Sequence, residues 1–174
     1  IKEWSEKIGV FFFIKADEPR RREIACEGIN ALVDYLTPII AERRENPGID
    51  LISLLIAAEE AGDISYNDVL ATCVLLVFGG HETTMNLIAN GTLALMNNSE
   101  QWEKLANDPT LIKKAVEELL RFDGSVKSTV RWAKVDVEVG GKQIKAGDRL
   151  LVSLAGASRD PKQFPNPDEL DVTR

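Results

Sequence analysis

The sequence predicts a mainly α-helical chain with a small β region, an α+β architecture of one long central helix plus a short sheet. Three observations predict it. Apolar residues recur at three- and four-residue spacing through the first two thirds of the chain, the period of a helix packed on one face. The run from Val69 to Phe78 is apolar on every side, the pattern of a helix buried all round. From Thr129 the spacing shortens, and Val130, Trp132, Val135, Val137, Val139, Ile144, Leu150 and Val152 alternate with polar residues and turn signals.

In order, Lys2 to Ile14 reads as a helix with Trp4, Ile8, Phe11 and Phe12 on one face. Asp17-Glu18-Pro19 has the form of a helix start, a capping acid with Pro in the first turn. The helix it opens runs through Ile24, Ile29, Leu32, Leu36 and Ile40 and stops at Asn46-Pro47-Gly48. Asp50 caps a short helix closed by Gly62-Asp63. Ser65-Tyr66-Asn67-Asp68 forms a capping box, with Asp where Glu or Gln is usual, and opens a helix expected to reach Asn98. A helix of about 34 residues is about 50 Å long. Its apolar stretch needs protein on all sides, more than this chain supplies on its own. Ser99 opens a short helix through Trp102 and Leu105, and Asp108-Pro109 opens another through Ile112, Ala115, Val116, Leu119 and Leu120. Gly140-Gly141 and Ala146-Gly147-Asp148 supply the turns between short strands, and the tail is rich in Pro and Asp. One partial domain is expected over 1–174, mainly helical over 1–127, then a β-rich segment and meander over 128–174.

Composition narrows the function. With 174 residues the chain is long enough for a sizeable core, and 44% apolar with 28% charged residues is ordinary for a soluble globular protein. A net charge of −7 argues against nucleic acid as a partner. Arg20-Arg21-Arg22 and Arg43-Arg44 are the local exceptions, and read as solvated helix faces. Cys26 and Cys73 lack a metal-ligand spacing and are expected as two buried thiols in a reducing cytoplasm. The most apolar run is about half of the roughly 20 residues a bilayer needs, so no membrane association is expected. The first residue is Ile1, which fits a fragment or a processed product.

Chemistry is most concentrated at Gly79-Gly80-His81-Glu82-Thr83-Thr84. Two glycines in a helix cost roughly 1 kcal/mol each against Ala. A carboxylate there is costly unless paired, hydrated or functional. Thr bonds back to a carbonyl one turn earlier and bends a helix. On these residues alone two readings stand: a site, or a helix crossing where glycines admit a neighbour. His81 is the only His, and with Met85 four residues on there is no zinc motif. Glu118 and Arg121 share a helix face, a pattern that is usually a surface ion pair worth about 0–1 kcal/mol; Glu18 and Arg21 repeat it. Arg131 alone reads as an exposed strand residue.

Taken in order, these motifs resemble cytochrome P450, the heme-thiolate monooxygenases, and soluble bacterial-type members in particular. The match runs from about Ser65 to Arg174 and more loosely back to Trp4. In the family, the helix positions matching Gly79 and Gly80 leave room above the heme. An acid and a Thr, here Glu82 and Thr83, organise water that delivers the protons dioxygen activation consumes. Arg131 matches an Arg that pairs with a heme propionate in bidentate fashion. Val126, and less directly Val77, match substrate-pocket positions. Glu118, Arg121 and Arg174 match a buried charge network that is structural. Gly140-Gly141-Lys142 and Ser158-Arg159-Asp160-Pro161 also match, with Ser158 where Asn is usual and Leu170 where Phe is usual.

The resemblance implies a cytoplasmic monooxygenase. It would insert one oxygen atom from O2 into a small organic substrate at heme b, with electrons from a ferredoxin- or flavodoxin-type donor. It also implies that this chain lacks the N-terminal part of the fold and the Cys loop that holds the iron. No metal ligand is then expected in the chain, which alone would retain no heme and be inactive. The alternative is a heme-free, truncated product acting as a structural protein or a homodimer.

Overall fold

The computed structural model describes residues 1–13 and 19–174, with nothing said of the Phe13 side chain. The expected start at Asp17-Glu18, the repeat at Glu18 and the helix end at Ile14 lie outside the described residues. The rest is mainly helical with small antiparallel sheets. In order the elements are α1 (Lys2–Phe13), α2 (Arg21–Glu45), α3 (Leu51–Glu60), α4 (Tyr66–Asn97), α5 (Ser99–Asn107), a 3-10 turn (Pro109–Leu111) and α6 (Ile112–Asp123). Then follow β1 (Ser128–Trp132), β2 (Val137–Val139), β3 (Lys142–Ile144), β4 (Arg149–Ser153) and the single turn α7 (Leu154–Ala157). The chain packs as two compact units, Ile1–Glu82 and Thr83–Arg174, whose boundary falls within α4.

In the first unit α1 packs on α2 at Gly28, where an added Cβ would stand 2.6 Å from the Trp4 carbonyl oxygen. Pro19 precedes α2 and is not in its first turn. Pro38 lies inside α2. Its ring nitrogen donates no hydrogen bond, and the neighbouring Thr37 hydroxyl donates to the Val33 carbonyl at 2.7 Å. Asp50 caps α3 through the Ser53 amide at 2.9 Å. The Ser65–Asp68 box closes in both directions: Asp68 accepts from the Ser65 amide at 2.9 Å and Ser65 Oγ accepts from the Asp68 amide at 3.3 Å. The core gathers Leu36, Ile40, Ile56, Val69 and Cys73.

Three expectations need correction here. The apolar stretch of α4 is buried on one stripe only: Val69 and Cys73 are in the core, while Leu75 is 65% and Leu76 48% exposed. Within this unit the α4 face toward α2 and α3 is covered, and Phe78 stacks on Phe12 of α1 with ring centroids 5.8 Å apart. Cys26 is exposed, so only Cys73 is a buried thiol. By length and composition α2 is long and apolar enough to cross a membrane, against the expectation that no segment was. Its Leu32, Leu36 and Ile40 are nevertheless core residues, and its Glu27 pairs with Lys7. The arginine clusters do act as solvated faces: Arg43 pairs with Glu42 and Asp50, Arg44 with Glu59 and Glu60, and Arg20 with Glu23.

In the second unit Ala94, Leu95, Ala115, Leu170 and Val172 form the core. Asp108 accepts from the Thr110 amide at 3.1 Å and opens the 3-10 turn that leads into α6. β1 pairs antiparallel with β4, Val130 opposite Leu151, and β2 with β3, Val139 opposite Lys142. Gly140 (φ 58°) and Gly141 (φ 74°) both take the left-handed conformation that a two-residue hairpin turn of this twist requires. α7 is an element the sequence reading omitted; Ser153 Oγ caps it by accepting from the Gly156 amide at 2.9 Å.

Candidate functional site

Midway along α4 the side chains give way to backbone. A Cβ at Gly79 or Gly80 would meet no described atom within 4 Å. The helix-crossing reading required a neighbour pressed against these glycines, and among the described residues there is none. Val77, one turn earlier, is half-buried, as are His81 and Glu82. Glu82 Oε2 and His81 Nδ1 are inaccessible to solvent, with no hydrogen-bond partner among the described residues. Most buried polar atoms are satisfied, and leaving one unsatisfied costs about 1–3 kcal/mol. These two atoms lie beside the open stretch of helix; Ser5 Oγ in α1 is left unpaired in the same way. Thr83, half-buried, opens the second unit.

In the second unit, β1 carries Arg131, which is exposed and donates through Nη1 to Thr129 Oγ1 at 2.7 Å and to the Val130 carbonyl at 2.8 Å. Its remaining donors are available for a carboxylate. Val126, 45% exposed, lies in the turn between α6 and β1.

Glu118, Arg121 and Arg174 come together. Arg121 meets Glu118 in a fork, Nε to Oε2 at 2.6 Å and Nη2 to Oε1 at 2.8 Å. Its other three N–H groups go to the carbonyls of Ser158 (2.9 Å), Pro167 (2.8 Å) and Glu169 (3.1 Å). A guanidinium has five N–H donors, so all are used. Glu118 also accepts the Asp171 amide at 3.0 Å and lies 3.1 Å from Arg174 Nε. Its side chain is 2% exposed, so this is not the surface pair that spacing alone favoured. Burial pushes the Glu118 carboxyl up, but the bonds from Arg121, the Asp171 amide and Arg174, with the charge of Arg121, outweigh it and hold the group below the usual range. The bond to Glu118 raises Arg121 further. These contacts bind α6 to the meander and leave no donor for a ligand.

Taken unit by unit, the residues fit a heme in part. In the first unit the open Gly79-Gly80 face leaves room for a bulky group; in the second, the exposed Arg131 suits an acidic side arm. Neither cysteine suits its iron. Cys26 is exposed on α2 and Cys73 lies in the core among Leu36, Ile40 and Ile56, where burial raises its pKa and disfavours the thiolate that binds metal. Among the described residues there is no cluster of three or more His, Cys, Asp or Glu that could hold a metal ion.

Sequence reasoning missed Asn90 and met Arg159 only as part of a matching motif with no role; both tie down the C-terminal end of α6. Their partners are backbone carbonyls, which leave no pattern in a sequence.

The family model for "Cytochrome P450" matches residues 7–109 and 101–174. A putative cytochrome P450 133B1 of Xylella fastidiosa is 42% identical over 162 residues, 92% of this chain and 40% of that protein. A vitamin D(3) 25-hydroxylase of Pseudonocardia autotrophica is 44% identical over 161 residues, 91% of this chain and 40% of that protein. Among solved structures, CalO2 superposes with a TM-score of 0.89 at 33% identity, covering 99% of this chain and 43% of its own. The chain thus spans about 40% of the length of the curated relatives it matches. Matched along nearly its whole length by one family model, the chain belongs to the cytochrome P450 family.

Proposed function

We propose that these residues form the central-helix and sheet portion of a cytoplasmic monooxygenase. That enzyme inserts one oxygen atom from O2 into a small organic substrate and takes electrons from a ferredoxin- or flavodoxin-type donor. The observation that carries this reading is the buried, unpartnered Glu82 oxygen beside the open Gly79-Gly80 face, immediately before Thr83. The hydroxylase named above, similar over most of this chain, supports the same chemistry.

A heme b, when bound, supplies the iron at which dioxygen is activated. Arg131 would hold one of its carboxylates through a charge-assisted fork. Gly79 and Gly80 would leave room on α4 for its bulk. Glu82 and Thr83 move protons: a hydroxyl both donates and accepts, and a carboxylate recharges it through water. Val77 in the first unit and Val126 in the second are each assigned a substrate-facing role. Glu118, Arg121 and Arg174 hold the frame and do no chemistry.

The iron ligand is assigned to a residue outside these 174. The test is the reduced carbon monoxide spectrum of the heme-treated chain beside that of a longer protein carrying it. The thiolate-type band is expected from the longer protein alone. The same band from the 174-residue chain would overturn the assignment.

A further inference from the structure

The turn between α6 and β1 is held by two side chains from remote parts of the second unit. α6 ends because Gly124 leaves the helix at ψ 149°. An added Cβ there would stand 2.4 Å from the Leu120 carbonyl oxygen, so a larger residue would force the backbone to shift. Leaving a helix strands its last carbonyls. Two of them acquire side-chain donors. The Asp123 carbonyl accepts from Asn90 Nδ2 at 3.1 Å, and the Phe122 carbonyl accepts from Arg159 Nη2 at 2.7 Å. The Arg159 guanidinium also lies 4.7 Å from the Phe122 ring centroid and pairs with Asp168. Asn90 comes from α4, two turns beyond Thr83; Arg159 comes from the segment after α7. On the far side of the turn the Lys127 carbonyl accepts from the Ala155 amide at 3.0 Å. Val126 stands between these anchors.

We infer that Asn90 and Arg159 are positioning residues for the substrate-facing turn, setting where Val126 stands. The inference rests on the pocket role given to Val126 under the proposed function. Neither residue touches substrate; each acts through a backbone carbonyl. Arg159 suits its task because one planar fork spans a carbonyl and a carboxylate while its face covers an aromatic ring, which Lys cannot reproduce.

The experiment uses the heme-loaded longer protein and the variants Arg159→Gln, Arg159→Lys and Asn90→Ala. Amide exchange over 123–127 reads the anchors directly. It is expected to quicken about tenfold in Arg159→Gln and Asn90→Ala, with the β2–β3 hairpin unchanged. Binding of imidazole and 4-phenylimidazole reads the pocket, since only the phenyl group reaches its wall. The ratio of the two dissociation constants is expected to shift about threefold or more, with Arg159→Lys between wild type and Gln. Unchanged exchange, or exchange quickened everywhere alike, overturns the anchoring. Quickened exchange with an unchanged ratio overturns the positioning role. A wild-type protein with no thiolate-type heme spectrum would sink the proposed function, and the pocket assignment with it, while the exchange data still report on the turn.

Discussion

Arg121 and Glu118 form a two-pronged pair inside the protein, with bonds of 2.6 and 2.8 Å between side chains only 6% and 2% exposed. Every donor of the one and both oxygens of the other are engaged. Removing one partner leaves a buried charge uncompensated, which costs about 3–5 kcal/mol. Glu118→Gln and Arg121→Met are each expected to lose that much in denaturant unfolding. Losses below about 1 kcal/mol, the surface-pair range, would show that the network contributes no more than exposed pairs do.

The same carboxylate sets a pH dependence. Its folded pKa lies below the ordinary glutamate range. In that window the unfolded chain binds the extra proton, so stability rises with pH. The contribution is therefore complete above about pH 5 and is lost as pH falls through the lowered value. Asp171, lowered chiefly by its bond from the Thr173 hydroxyl, acts in the same direction. Unfolding followed between about pH 3 and 7 should show a steep acid limb that Glu118→Gln flattens. An equally steep limb in the variant would place the titration elsewhere.

Glu82 sets stability against function. Its Oε2 is buried without a partner among the described residues. Glu82→Leu removes that unsatisfied atom and is expected to raise stability by about 1 kcal/mol. In the longer protein the same change should lower product formed per electron pair about 100-fold, as proton delivery fails. A stable variant with undiminished coupling would remove Glu82 from the relay.

Much of this was legible in the chain. Caps at Asp50, Ser65 and Asp108, and paired glycines at 140 and 141, act over four residues or fewer, so the sequence displays them directly. Period and capping signals together located the longer helices and the strands, though not the single turn α7. What the chain hid was which faces would be covered. Val69 and Leu75 belong to one apolar run, yet one is core and the other 65% exposed, because burial depends on neighbours far away in sequence. Hydrogen bonds from Asn90 and Arg159 to carbonyls were equally invisible. The pair at 118 and 121 gained its meaning only through burial, since the same three-residue separation between Arg20 and Glu23 gives an exposed pair.

Three glycines separate packing from function in a single experiment. Gly28 has the Trp4 carbonyl oxygen 2.6 Å from where a Cβ would stand, so Gly28→Ala must push α1 from α2. That overpacking costs about 1–3 kcal/mol. Gly79 and Gly80 have no described atom within 4 Å of the same position. There Ala relieves a helix of its least favourable residue and should stabilise by about 0.5–1 kcal/mol per site. Opposite signs in thermal or denaturant unfolding are the expected outcome. If Gly79→Ala and Gly80→Ala stabilise the fold yet weaken heme retention in the longer protein, the glycines are kept for the ligand face. If they destabilise it, something packs against that face and the helix-crossing reading returns.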